Sequence, residues 1–350
     1  MTELTIREND AGGRLDKYLG RFLHDAPASF IYKMLRKKNI TLNGKKALGS
    51  EKLAVGDSVK LFLSDETVVK FGGKVSAGAG NEGVGGKNTS VGSDPKFTWP
   101  LPKPSIIYED KDILILNKPA DVLSQPAYPG DLSLNDWILE YMKKNGFTEE
   151  DYATVHPSVA NRLDRNTSGV IMAGKTLPGL RFLSEMIKSR KVDKYYLTLV
   201  KGVITEKKII TAYLVKSKSH NQVKIYDTPV EGGALIKTEY RPLDNNGKYT
   251  LLLVKLITGK SHQIRAHLAF TGHPVFGDPK YGLKSESEAA KRLGLKRQFL
   301  HSYITVFPSD ITGDFLYMAG RRFVAPLPDD FNVILERMGL VRCLRGIQEG

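Results

Sequence analysis

Between Lys70 and Pro104 the chain turns to Gly, Ser, Asn and Pro, with eight glycines from Gly72 to Gly92. Such a stretch has too little apolar surface to offset its own ordering, so it reads as a flexible tether that divides the 350 residues into two folding units. The expected divisions are residues 1–68, a linker over 69–104, a large unit over 105–340 and a C-terminal tail over 341–350. The tether includes Gly78-Ala79-Gly80-Asn81-Glu82-Gly83, which satisfies G-x-G-x-x-G. That string holds a pyrophosphate only where it joins a buried strand to a helix N-terminus, and Gly85-Gly86-Lys87-Asn88-Thr89 starts no such helix. Gly86-Lys87 also lacks the upstream glycine and following Ser/Thr of a phosphate-binding loop, so no nucleotide cofactor is expected.

In the first unit, Leu15, Tyr18, Leu19, Phe22 and Leu23 recur at the spacing of one helix face. A second helix is expected from Ser29, taken as its N-cap, with Ile31, Met34 and Leu35 turned inward. Ile40 to Leu42 reads as a strand entering an Asn43-Gly44 turn, and Ser58 to Leu63 as another strand. Lys33, Arg36, Lys37, Lys38, Lys45 and Lys46 fall between Ser29 and Ser50 with no acidic residue among them. By itself this is what a solvated helix face also looks like.

Charge gives the cluster a context. Lys and Arg number 52 against 38 Asp and Glu, a formal charge of +14, so the surface as a whole attracts polyanions and nucleic acid is the first partner to expect. The single cysteine, Cys343, excludes a disulfide framework and a thiolate metal site, and fits a reducing compartment. With no apolar run long enough for a membrane span and no apolar leader in MTELTIREND, a soluble cytoplasmic monomer is expected.

The large unit reads as a strand over Asp112–Asn117, helices over Ser133–Lys144 and Leu177–Lys188, and strands over 195–200, 209–213, 222–225, 234–240 and 250–256. The later strands follow each other without helices, which predicts an α+β class with a mixed, mainly antiparallel sheet. Within it, Arg162-Leu163-Asp164-Arg165 sets one carboxylate between two guanidinium groups, just before an apolar strand that begins after Ser168-Gly169. In extended chain Arg162 and Asp164 share a face and Leu163 points into the core. A nearby arginine keeps an aspartate ionised, as a nucleophilic or basic carboxylate requires, although a structural ion pair has the same signature.

The segment Asn161-Arg162-Leu163-Asp164-Arg165-Asn166-Thr167-Ser168-Gly169 resembles the H-R-L-D-R-x-T-S-G signature of the RluA/RluC/RluD family of pseudouridine synthases. Lys194-Tyr195-Tyr196-Leu197-Thr198-Leu199-Val200 resembles its K-x-Y-x-A-L-V strand, and Thr258-Gly259-Lys260-Ser261-His262-Gln263-Ile264-Arg265-Ala266-His267-Leu268 its T-G-R-T-H-Q-I-R-x-H-L motif. Gly277-Asp278-Pro279, Phe299-Leu300-His301-Ser302 and Phe323-Val324-Ala325-Pro326 continue the match in order, so that it spans Ile106 to Met338. The first unit resembles the S4 (α-L) RNA-binding module, in the version carried by RluC-type enzymes of large-subunit rRNA, which turns the six-base cluster into an expected RNA contact.

The resemblance implies an RNA-acting isomerase that breaks the N1–C1′ bond of a uridine, turns the base and rejoins it through C5, with no cofactor and no metal. Asp164 stands at the required carboxylate and Arg265 at the basic position that pairs with it. Tyr196 would pack on the flipped base and handle a proton, and Arg162 would occupy the stack that the base leaves. Asn161 replaces the usual His, Asn166 the usual Asp, Ala120-Asp121 the usual x-Gly after Lys118-Pro119, and Lys260-Ser261 the usual Arg-Thr; none removes the carboxylate, tyrosine or arginine. The resemblance leaves tRNA as the alternative substrate to rRNA, and a non-catalytic RNA-binding protein of ribosome assembly as the alternative role. A metal-dependent nuclease built on Asp278-Pro279-Lys280 with His262, His267 or His273 lacks the convergent carboxylates that two-metal chemistry needs.

Overall fold

The computed structural model describes residues 1–7, 10–72, 99–148, 151, 155–217 and 222–340. The expected tail, 341–350, and most of the expected tether, 73–98, lie outside the described residues.

In the first unit, helices α1 (Leu15–Phe22) and α2 (Ala28–Arg36) pack on an antiparallel sheet of β1 (Thr2–Thr5), β2 (Ile40–Leu42), β3 (Lys45–Lys46) and β4 (Ser58–Leu61), in the order β1-β4-β2-β3. The helical stripes are buried as their spacing requires: Leu15, Tyr18, Leu19 and Phe22 from α1 meet Ile31, Met34 and Leu35 from α2. The six basic residues all remain exposed, on α2, its C-terminal turn and β3. Asn43 and Gly44 both have positive φ, 49° and 71°, the conformation that lets an Asn-Gly pair join twisted strands.

Three expectations need correction here. Helix α2 starts at Ala28 with Pro27 in the cap position, so Ser29 lies within the first turn and does not cap. Strand β1 was not anticipated, nor was α3 (Asp65–Lys70), whose Ser64 hydroxyl accepts the Thr67 N–H and whose first turn carries Asp65 and Glu66. Helix α3 crosses the expected boundary at residue 68, because Val68 is buried and the Phe71 ring sits 4.5 Å from Phe30; the core of this unit therefore runs through Phe71.

The larger sheet has eleven strands. In chain order they are β5 (Ser105–Glu109), β6 (Ile113–Lys118), β7 (Ser158–Val159), β8 (Ser168–Gly174), β9 (Asp193–Lys201), β10 (Lys208–Lys216), β11 (Val223–Tyr226), β12 (Ala234–Asn245), β13 (Tyr249–Leu256), β14 (Leu300–Val306) and β15 (Arg322–Val324). Their order is β11-β10-β12-β13-β9-β14-β8-β6-β5, with β7 beside β8 and β15 beside β14. Among the described strands only β14 and β8 pair in parallel. The mixed, mainly antiparallel α+β expectation holds.

The central strands are covered on both faces. Leu114, Leu116, Ile171 and Ala173 join one cluster with Leu134 and Ile138 of α4 (Leu134–Lys144). The intervening Ile113, Ile115, Val170 and Met172 join another with Leu183 of α5 (Leu177–Lys188). The period-2 alternation of a strand thus feeds two cores. Trp99 and Leu101 pack into the first of these clusters, so the second unit's core begins ahead of the expected residue 105. Helix α6 (Gln263–Phe270) follows β13, and α7 (Lys284–Arg292) and α8 (Asp329–Arg337) complete the covering layer.

Candidate active site

Asp164 lies in the loop between β7 and β8, and that loop is pinned nearly residue by residue. The Ser124 hydroxyl bonds both the Leu163 carbonyl (2.9 Å) and the Leu163 N–H (3.0 Å). Lys118 Nζ donates to the Arg165 carbonyl at 3.1 Å, Arg297 Nη1 to the Asn166 carbonyl at 3.3 Å, and Gln298 Nε2 to the Thr167 hydroxyl at 3.1 Å. The loop closes on itself through the Thr167 N–H to the Asp164 carbonyl, 3.0 Å. Asn161, at the family's His position, accepts the Met172 N–H at 2.8 Å and ties the loop's start to β8.

The loop leads into Gly169, which pairs with Ser302 in the parallel contact of β8 with β14. A Cβ there would lie 2.1 Å from the Ser302 carbonyl oxygen, and φ is +111°, so only glycine fits. Ser302 sits between Gly169 on one side and Tyr196 of β9 on the other. Tyr196 is buried on the same face as Leu163 and Ile264. Burial pushes its hydroxyl up to about 12, with the Asp164 carboxylate adding and a bond to Ser302 opposing, so it is a protonated phenol at neutral pH.

Arg265, on α6, meets two carboxylates. Its Nη1 donates to Asp164 Oδ2 at 2.7 Å, while Nε and Nη2 grip Asp278 Oδ2 and Oδ1 at 2.7 and 2.8 Å. Burial works against the guanidinium charge, but the two carboxylates outweigh it and raise its pKa. Burial likewise works against Asp278, yet the Arg265 fork and the N–H groups of Lys280 and Tyr281 hold its carboxyl below the usual range. Side-chain exposure is 0% for Asp278, 6% for Arg265 and 22% for Asp164, so the network opens toward solvent at Asp164.

Of the expected site residues, Asp164 and Arg265 are in direct contact, and Tyr196 shares a buried cluster with their chain neighbours Leu163 and Ile264, within reach of the Asp164 charge. Arg162 is exposed on the loop, with Leu163 buried as the extended reading required. The arginines next to Asp164 in sequence are not the partners found for it: Arg165 pairs with Asp121 at 2.8 Å, and the carboxylate's partner comes from 101 residues away. Lys33, Arg36, Lys37, Lys38, Lys45 and Lys46 belong to the other unit.

Sequence reasoning missed four contributors. Asp278 enters it in a matched segment and in a rival metal motif but is given no role in the site, although a buried arginine with one partly exposed partner calls for a second carboxylate. Arg297, clamped by Asp330 at 2.9 and 3.0 Å, supports the loop. Lys118 is fully buried with carbonyls of Pro119, Val122 and Arg165 at 2.8, 2.7 and 3.1 Å. Burial draws its pKa down to about 7, but three carbonyl acceptors match the three donors of an ammonium better than the two of an amine, and we assign the charged form. His262 caps α6 with a left-handed backbone, φ 54°, and brings Nε2 to 3.9 Å from Asp164 Oδ1. Among the described residues no three His, Cys, Asp or Glu side chains are grouped so as to hold a metal ion, and no helix is long and apolar enough to cross a membrane.

The family profile described as RNA pseudouridylate synthase matches residues 112–270, a span that includes Asp164, Tyr196 and Arg265. The protein named ribosomal large subunit pseudouridine synthase C of Pasteurella multocida (strain Pm70) is 32% identical over 333 residues, which are 95% of this chain and 92% of that one. The chain belongs to the RNA pseudouridylate synthase family. Another relative of this pseudouridine synthase is the protein named ribosomal large subunit pseudouridine synthase D of Borreliella burgdorferi (strain ATCC 35210 / DSM 4680 / CIP 102532 / B31), 29% identical over 95% of this chain and 91% of that one. Among solved structures, human RNA pseudouridylate synthase domain containing 4 shares the fold with a TM-score of 0.54 at 21% identity, over 67% of this chain and 92% of that chain. The synthase expectation drawn from the ordered sequence motifs is met, and with it an RNA substrate.

Proposed function

We propose that this synthase converts specific uridines of large-subunit ribosomal RNA to pseudouridine, with Asp164 as the catalytic carboxylate. The observation that carries the reading is the Asp164–Arg265–Asp278 network: a carboxylate held at 2.7 Å by a guanidinium that a fully buried second carboxylate anchors. The reaction is an isomerisation. The N1–C1′ bond breaks, a C5–C1′ bond forms, the proton leaves C5 and N1 gains one, so atoms and electrons balance without a cofactor. Asp164 acts as nucleophile or base on the uridine, Arg265 keeps it ionised and oriented, and Tyr196, protonated, packs against the base and donates. Arg162, exposed and permanently charged, fills the stack from which the base is drawn.

The choice of ribosomal RNA is supported by the names of the relatives at 32% and 29% identity, both of which say large subunit. We further propose that the N-terminal unit is an S4-type module that recruits the RNA through Lys33, Arg36, Lys37, Lys38, Lys45 and Lys46, joined by a tether to the catalytic unit, and that the enzyme works as a cytoplasmic monomer. The deciding experiment maps pseudouridine in cellular rRNA and tRNA with and without this gene. Loss of one or more large-subunit sites, restored by the wild-type chain and not by Asp164→Asn, is expected. Loss confined to tRNA overturns the ribosomal assignment, and unchanged maps together with inactive purified protein overturn the catalytic one.

A further inference from the structure

The Asp164 carboxylate is held unevenly. Oδ2 accepts from Arg265 at 2.7 Å, whereas Oδ1 faces His262 Nε2 at 3.9 Å. What Oδ1 meets depends on which ring nitrogen of His262 carries the proton, and the surrounding bonds decide it. The Tyr281 hydroxyl lies 3.0 Å from the Val223 backbone nitrogen and 2.9 Å from His262 Nδ1. A backbone N–H only donates, so the phenol oxygen accepts from Val223 and its own proton needs another acceptor. His262 Nδ1 is within reach, and a neutral imidazole that accepts at Nδ1 carries its proton at Nε2. The opposite tautomer would leave the Nε2 lone pair pointing at a carboxylate oxygen.

Other features hold the ring in that role. His262 sits at the N-cap of α6 with φ 54°, its ring edge-on to Tyr281 at 5.7 Å. Arg265 follows less than one turn later, so both groups that meet Asp164 come from one short element. The charged and titratable groups around His262 are Asp164, Arg265, Lys280, Asp278 and Tyr281; burial lowers its pKa below the usual histidine value, and the neutral ring is the resting form.

We propose that His262 is a positioning residue of the synthase, a neutral Nε2–H donor whose tautomer is set by Tyr281 and which takes Asp164 Oδ1 as the site closes on RNA. Arg265 and His262 then fix the plane of the carboxylate, and its remaining lone pairs point to the uridine. This rests on Asp164 as the catalytic carboxylate.

The test uses the full chain labelled with 15N-histidine, with the His262 signal assigned by its loss in His262→Gln. A protonated Nε2 and bare Nδ1 are expected; protonation at Nδ1 overturns the proposal. Tyr281→Phe should shift the ring toward the other tautomer and lower kcat about tenfold at unchanged KM for RNA. His262→Ala should lower kcat roughly 10- to 100-fold with KM unchanged, and His262→Gln, whose amide N–H reaches to the place of Nε2, should recover about tenfold over alanine. Equal losses for alanine and glutamine in folded variants, or full kcat for alanine, overturn it. The tautomer is readable without turnover, so it fails separately from the reading beneath it, which falls if Asp164→Asn keeps substantial activity.

Discussion

Asp164 and Asp278 grip the same guanidinium, but they differ in burial, and replacing each by asparagine should separate chemistry from stability. Asp278→Asn removes the charge that receives two of the three bonds shown from Arg265 to carboxylates, at a site where both side chains are almost wholly out of water. Breaking a buried pair from one side costs about 3–5 kcal/mol, and because Asp164 still faces the arginine the lower end applies, about 3 kcal/mol. For a unit of this size that lowers Tm by roughly 6–12 °C. The loosened guanidinium then lets Asp164 drift, and a displacement near 1 Å costs on the order of 100-fold in kcat. Asp164→Asn leaves the Arg265–Asp278 fork intact and removes an ion pair at a partly exposed group, worth under about 1 kcal/mol. Its Tm should stay within about 4 °C of wild type, RNA affinity within about tenfold, and single-turnover pseudouridine formation should fall by at least about 1,000-fold. The assay is paired, thermal melts and single-turnover rates on the same preparations. Equal melting losses for the two variants would make Asp164 a structural anion, and an Asp278→Asn protein that melts like wild type would refute the anchoring role of Asp278.

Tyr196 has a folded pKa near 12, above the ordinary 10, so the phenol proton is retained through the neutral range and the associated stability is lost only as pH rises from about 10 through 12. The rate ratio of wild type to Tyr196→Phe should therefore be the same at pH 7 and pH 9; a ratio that changes with an inflection between them would show a tyrosine that ionises in turnover. Gly169→Ala drives a Cβ into the Ser302 carbonyl and should cost more than about 4 kcal/mol or prevent folding, as read by soluble yield and melts, whereas a wild-type Tm would disprove the close approach. A fragment without residues 1–72 should bind its RNA more weakly, with a log-affinity against log-salt slope shallower by roughly 0.7 for each single-strand phosphate that the basic cluster no longer neutralises. Its single-turnover rate on a short saturating substrate should change little, and equal affinity and slope would remove the RNA role of the basic cluster.

Much of the fold was legible because its elements are periodic. The stripe of α1, the apolar run of β8 and the alternation of β10 and β12 leave marks at helical or strand spacing; the ends of α1 and β10 fall within three residues of the expected ones, while β12 starts as expected and runs five residues further, to Asn245. Elements of seven to nine residues escaped, namely β14, α6, α7 and α8, and the shortest of those missed had least room to show a period. Strand β1 is four residues long and α3 six, and each is held by partners rather than by its own pattern: β1 by pairing with β4, α3 by Val68 in the core and Phe71 against Phe30. Trp99 lay in a stretch whose glycines and prolines read as tether, and its place in the core is set by packing against residues distant in sequence. In the site, Asp164, Tyr196 and Arg265 were legible through resemblance, while local charge pointed to the wrong arginines for Asp164. Neighbours in an extended loop point outward to solvent, and Arg165 found Asp121 there. The partner that matters needed a side chain arriving from a helix 101 residues on, which only the folded sheet supplies.

On the role proposed for Asp164, the order of burial along Asp278, Arg265 and Asp164 follows from what an RNA substrate demands. A base flipped out of RNA enters the site while the rest of the RNA stays outside, so a carboxylate in the role proposed for Asp164 has to be reachable from the surface, where water would screen any arginine paired with it and side-chain motion would blur its position. Burying the arginine solves both problems and creates a third, because a guanidinium out of water is tolerable only with its own counter-charge. Asp278 supplies that charge from the interior, bound in turn by the N–H groups of Lys280 and Tyr281. The exposed end is made rigid from the other side: the Asp164 loop hangs on Ser124, Lys118, Arg297 and Gln298 and runs into the parallel β8–β14 contact that admits no side chain at Gly169. A carboxylate at 22% exposure can then be as well oriented as one in a closed pocket, and the RNA needs to deliver only the base.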